Sequence, residues 1–87
     1  MPNELILAVD DEAHILDLLS FNLETSGYKV VTASTGEDAV EVCKDQRPSL
    51  VLLDIMLPGI DGMEVCRRLK SQPMTADIPI IMLTAKG

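Results

Sequence analysis

Four short apolar runs recur along the chain at intervals of about twenty residues: LILAV (5–9), YKVVTA (28–33), LVLLD (50–54) and IPIIMLT (78–84). Each has the length of a strand, and each is bounded by polar or turn-forming residues. The first and third are almost continuously apolar, which implies burial on both faces, as in a parallel sheet covered by helices.

The stretches between the runs have helical periodicity. The first helix is expected from about Glu12 to Ser26, with Ile15, Leu19 and Leu23 as its buried stripe, widened by Leu16 and Leu18, and Gly27 as its C-terminal stop. A second follows STG: Ser34 and Glu37 have capping-box spacing, Ala39, Val40 and Cys43 share a face, and RPS breaks the pattern. A third, from about Gly62 to Ser71, buries Met63, Cys66 and Leu69 and leaves Arg67, Arg68 and Lys70 to solvent near its C-terminal end, where positive charge suits the helix dipole.

The order is therefore β-α-β-α-β-α-β, which right-handed crossovers turn into a doubly wound α/β sheet. With strand order 2-1-3-4 the first and third strands are neighbours. Residues 1–87 hold no repeat, linker or low-complexity segment and are expected to form a single domain. The sequence ends at LTAKG, just past the fourth strand, and reads as a fold lacking its last helix-strand-helix. Its fourth strand would be an apolar sheet edge open to self-association.

Composition narrows the function. Fourteen acidic against seven basic residues give a formal net charge of -7, which argues against direct binding to nucleic acid or to an anionic membrane surface. With one Phe, one Tyr and no Trp, the chain also lacks platforms for stacking bases. Cys43 and Cys66 are far apart and form no Cys-x-x-Cys pair, so they read as reduced thiols. LILAV is too short for a signal core or a membrane span. A cytoplasmic location is expected.

The chemistry gathers where the strands end. In open parallel sheets ligands bind beyond the carboxyl ends of the strands. Asp10 and Asp11 end the first run, Asp54 ends the third and Thr84 ends the fourth, so three carboxylates and a hydroxyl converge on one edge. Clustered carboxylates repel one another unless a cation is present. An all-oxygen set without His or Cys selects Mg²⁺ or Mn²⁺ over zinc, and Mg²⁺ favours a few carboxylates, water and a phosphate oxygen. Asp54 alone could merely cap a turn, and Asp10 and Asp11 could cap the first helix; the combination favours chemistry. His14 reads as a surface residue or a contact for a partner, and the methionines as loop or core filler.

Three motifs in this order, AVDDE, LLDIMLPGIDG and IIMLTAKG, resemble the receiver domains of bacterial two-component response regulators, with a flavodoxin-like fold. The resemblance implies that Asp54 accepts a phosphoryl group from a phosphohistidine on a sensor histidine kinase and that the chain is not a turnover enzyme, although it slowly hydrolyses its own aspartyl phosphate. It implies that Asp11 ligates Mg²⁺ directly, Asp10 mostly through water and Met56 through its backbone carbonyl, and that Thr84 bonds the phosphoryl oxygens. Pro58, Gly59 and Gly62 then shape the loop beside Asp54, the glycines by conformations that other residues resist. Receivers carry a further lysine at the end of a fifth strand; Lys86, two residues past Thr84, does not match it. The motifs are similar to those of receivers joined to winged-helix DNA-binding domains, and any DNA contact would belong to such a domain.

Three other readings compete. A Mg²⁺-dependent phosphohydrolase of the haloacid-dehalogenase type would need a second acid two residues after the nucleophile, where Met56 stands. A flavodoxin-like cofactor binder would need Ser, Thr or Gly after the first strand, and DDE repels a phosphate. A truncated, non-signalling interaction module is the third.

Overall fold

A computed structural model of the chain describes residues 4–83; Thr84 and Lys86 lie outside the described residues. Seven elements follow one another: β1 (Leu5–Val9), α1 (Ala13–Thr25), β2 (Lys29–Ala33), α2 (Gly36–Gln46), β3 (Leu50–Asp54), α3 (Gly62–Lys70) and β4 (Ile80–Leu83). The four strands form one sheet in the order β2-β1-β3-β4, every pair parallel. The expected topology is thus the observed one.

Alternation along each strand divides the apolar residues between two faces. Leu7 and Val9 of β1 and Val51 and Leu53 of β3 are wholly buried against Ala39 and Cys43 of α2 and Val65 and Leu69 of α3. Ile6 and Ala8 point the other way, towards the layer in which α1 lies against β1 and β2. The main core therefore sits on one side of the two central strands. The site lies at their carboxyl ends.

Helix α1 has no fully buried residue. Leu16, Leu19 and Leu23 are half-buried, whereas Ile15, Leu18 and Phe21 are exposed, Phe21 at 67%. The inward stripe thus runs through Leu16, not Ile15. At about 100° per residue, positions 16, 19 and 23 span roughly 60°, and Ile15 lies about 40° beyond Leu19 at the edge of that stripe. The stop at Gly27 is as expected. Its φ is 100°, Tyr28 N–H donates to Leu23 O (3.1 Å) and Gly27 N–H to Glu24 O (3.0 Å), the paired bonds of a Schellman motif.

In α2, Ala39, Val40 and Cys43 are buried as expected, but the N-cap is Thr35, whose hydroxyl accepts from Asp38 N–H at 3.1 Å, and not Ser34. The helix ends on Arg47, whose positive φ of 45° turns the chain into Pro48.

Helix α3 buries Gly62, Val65 and Leu69; Met63 is 62% exposed and Cys66 only half-buried. Its basic residues are exposed, as expected, and also make local bonds. Glu64 accepts from both Arg67 (2.6 Å) and Arg68 (2.9 Å), which hold its carboxyl down at about 2, and Lys70 Nζ donates to Ala76 O and Ile78 O. With buried Thr75, whose hydroxyl donates to Leu69 O at 2.7 Å, Lys70 ties the end of α3 to the turn leading into β4. Among the described residues no helix is long and apolar enough to cross a membrane.

Candidate functional site

Parallel register brings the ends of β1 and β3 side by side: Val9 pairs with Leu53, and Asp10 and Asp54 are the next residues on each strand. Asp10 N–H donates to Ala33 O (3.2 Å), which carries the β1–β2 pairing one residue past the strand. One carboxylate oxygen from each of Asp10, Asp11 and Asp54 lies within 4.8 Å of the other two. The three carboxylates read from the sequence therefore meet, and Thr84 lies outside the described residues.

Two local turns aim the cluster. Asp10 Oδ1 accepts from Glu12 N–H at 2.9 Å and Asp54 Oδ1 accepts from Met56 N–H at 3.1 Å, so each carboxylate folds over the loop that follows its strand. Asp10 is 7% exposed, Asp54 is half-buried and Asp11 is exposed. Burial pushes the Asp10 carboxyl above its ordinary value; the Glu12 N–H opposes this, and the charges of Asp54, Asp11 and Glu12 add to it.

A divalent ion fits this donor set. Octahedral oxygen ligands at about 2.1 Å stand roughly 3 Å apart when adjacent and about 4.2 Å when opposite, so the cluster needs to close only slightly or reach through water. All three donors are hard carboxylate oxygens, and Asp54 Oδ1 gives one lone pair to Met56 N–H, while Oδ2 has no hydrogen-bond partner among the described residues.

Beside the cluster an open groove of about 510 Å³ is lined by Asp11, Ile55, Met56, Leu57, Pro58 and Asp61. Met56, 64% exposed, offers no acid or base where a haloacid-dehalogenase-type hydrolase would need one. Asp61 caps α3, accepting from Glu64 N–H at 2.9 Å. Its place in the site was missed, although Asp61 and Glu64 have capping spacing in the sequence.

The loop glycines divide by mechanism. Gly59 has a φ of +74°, as expected of a conformational glycine. Gly62 has no positive φ; its N–H donates to Ile55 O at 2.9 Å, and a Cβ there would lie 2.6 Å from Asp54 O and 2.8 Å from Ile55 Cα. It is a residue of close approach.

The family model of the response regulator receiver domain matches residues 6–87. The chain belongs to this family. The receiver is 52% identical over 84 residues to the alkaline phosphatase synthesis transcriptional regulatory protein PhoP of Bacillus subtilis, covering 97% of this chain and 34% of PhoP. The chain thus spans about a third of that relative's length. Among solved structures, the N-terminal domain of a response regulator receiver protein from Methanoculleus marisnigri matches with a TM-score of 0.92 at 47% identity, over 95% of this chain and 68% of that one. The receiver domain of a sensor histidine kinase from Pseudomonas aeruginosa, with a magnesium ion coordinated in its active-site cleft, matches with a TM-score of 0.92 at 32% identity, over 97% and 69%. The flavodoxin-like receiver fold follows from these likenesses.

Since burial and like charge both weigh on ionised Asp10, the receiver's metal-free stability should respond to pH. A carboxyl raised in the folded state favours folding below its unfolded value, and that contribution is lost as pH rises through the raised folded value. Asp10→Asn keeps the acceptor for Glu12 N–H and removes the charge. Thermal melts in chelator should show the variant melting a few degrees above the parent at neutral pH, the gap closing in acid, with less gain on adding Mg²⁺. A variant less stable than the parent at neutral pH would count against this.

Proposed function

We propose that this receiver accepts one phosphoryl group at Asp54 from the phosphohistidine of a sensor histidine kinase, with Mg²⁺ held by Asp10, Asp11, Asp54 and the backbone carbonyl of Met56. The observation that carries the reading is the meeting of three carboxylates at the ends of β1 and β3, one of which, Asp11, also lines the groove. The Mg²⁺-bearing receiver of the Pseudomonas aeruginosa sensor kinase supports the choice of ion; Mn²⁺ satisfies the same oxygen donors.

Bound Mg²⁺ would offset the carboxylate charge and that of the phosphoryl oxygens. An Asp54 oxygen attacks phosphorus, the P–N bond breaks with its electron pair returning to the imidazole, and an acyl phosphate forms. Met56 N–H holds Oδ1, leaving the other oxygen to react. The groove accommodates the donor side chain. Thr84 hydrogen-bonds the transferred oxygens, and slow attack by water returns the carboxylate. Phosphorylation switches an output, transcription regulation by a DNA-binding domain, a reading supported by the name of the PhoP relative.

The test is incubation of the native protein with acetyl phosphate and Mg²⁺. Mass spectrometry should find one hydroxylamine-labile phosphoryl group on the Asp54 peptide, and none in chelator. Label on another residue, or labelling unaffected by chelator, would overturn the assignment. A second copy adding to β4, where Ile81 is 50% exposed, completes the reading of partners; sedimentation independent of concentration would remove it.

A further inference from the structure

A close backbone approach at the site is made by a residue with no side chain. Gly62 opens α3 and is buried, its N–H bonds Ile55 O at 2.9 Å, and the space that a Cβ would fill is occupied by Asp54 O at 2.6 Å, Ile55 Cα at 2.8 Å and Asp54 C at 3.3 Å. All three are main-chain atoms of the acceptor and its neighbour. No side-chain rotation can relieve such a contact, so a Cβ there must move the end of β3 and the first turn of α3 relative to one another.

The Asp54 carboxylate is held from below by that same backbone. Its Oδ1 accepts from Met56 N–H, two residues on, so a shift of the 54–55 peptide moves both donor and acceptor of the turn. Gly36 shows a different kind of tightness, because a Cβ there meets Ile60 Cγ1, Val65 Cγ2 and Ile60 O, none of them on the backbone of Asp54 or Ile55. Only at Gly62 does the contact bear on the acceptor.

We infer that Gly62 is a positioning residue for the phosphoacceptor: by bringing the first turn of α3 flush against the main chain of Asp54 and Ile55, it sets where the Asp54 carboxylate stands relative to Asp10 and Asp11. The inference rests on the reading of Asp54 as the acceptor, and its test separates the two. A displacement approaching 1 Å in reacting geometry costs on the order of a hundredfold in rate.

The experiment compares the parent protein with Gly62→Ala and with Val65→Ala, which opens a cavity under the same helix and leaves Gly62 in place. Two readouts are taken: acetyl-phosphate labelling per folded molecule, and the Asp54 carboxyl ¹³C and Met56 amide resonances in metal-free protein. Gly62→Ala should move both resonances and slow labelling about ten- to a hundredfold, while Val65→Ala, though less stable, leaves both near the parent. Parent-like resonances in Gly62→Ala, or equal slowing in Val65→Ala, would overturn the inference. If the parent is not labelled at Asp54, the functional reading fails and the resonances alone decide the role of Gly62. Should Gly62→Ala fold poorly, trimethylamine N-oxide at low temperature favours the folded form; a chain still unfolded there would count against positioning and for a general need of the fold.

Discussion

Replacing Asp54 by asparagine is expected to abolish phosphoryl incorporation and to leave the fold intact or slightly more stable. The amide oxygen can still accept from Met56 N–H, so the turn after β3 survives. What disappears is the nucleophile, because an amide does not attack phosphorus at neutral pH as a carboxylate does. The loss should be on the order of a thousandfold or more, down to the background of the assay. In chelator the variant should melt at or above the parent, since one of three mutually repelling charges has gone. Labelling at the parent's rate would transfer the acceptor role elsewhere in the cluster, and a collapse of the fold would show that Asp54 is needed for structure.

That expectation was open to reading from the residues, and so was most of the frame around it. Continuous apolar runs gave away β1 and β3 as central strands, and the aspartates at which those runs stop, Asp10 and Asp54, stand side by side in the observed register. The errors have a common physical source. In α1 Ile15 and Leu18 were counted into the stripe that Leu16, Leu19 and Leu23 form, and in α3 Met63 and Cys66 were each placed one residue past the buried Gly62 and Val65. A helix rich in apolar side chains offers several arcs, and tertiary packing selects the narrowest one that meets the sheet. The cap of α2 shows the same degeneracy. Ser34 and Thr35 each stand three residues before an acid, and the cap is Thr35, whose hydroxyl accepts from Asp38 N–H.

Gly62 was legible only in part. Composition marks a glycine as permissive, and positive φ is the commoner reason for one in a loop. Close approach depends on a backbone far from it in no local pattern, here the last peptide of β3, and no periodicity carries that information. Asp61 was hidden for a different reason: its carboxylate serves α3 as a cap and the groove as a wall, and only the fold shows that the two roles share one place.

Leu53, the residue immediately before Asp54, should behave in the opposite way. It is wholly buried in β3, paired with Val9 on one side and Met82 on the other, and packed into the core shared with α2 and α3. Leu53→Ala removes most of a side chain from the middle of the sheet, where parallel strands allow little collapse into the gap. Such truncations cost about 2–5 kcal/mol, against a total stability of roughly 5–10 kcal/mol for a domain of this size. The melting temperature should fall by roughly 10–30 °C. Leu53→Met, nearly equal in volume, should cost less than about 1.5 kcal/mol. Labelling of Asp54 in Leu53→Ala should fall only with the unfolded fraction, and cooling should restore it, because no group that touches phosphorus has changed. Denaturant melts paired with labelling rates separate the cases. A Leu53→Ala protein as stable as the parent would mean that β3 is not the centre of the core, and one that stays folded but cannot be labelled would mean that the strand end, and not the Asp54 carboxylate alone, carries the transfer.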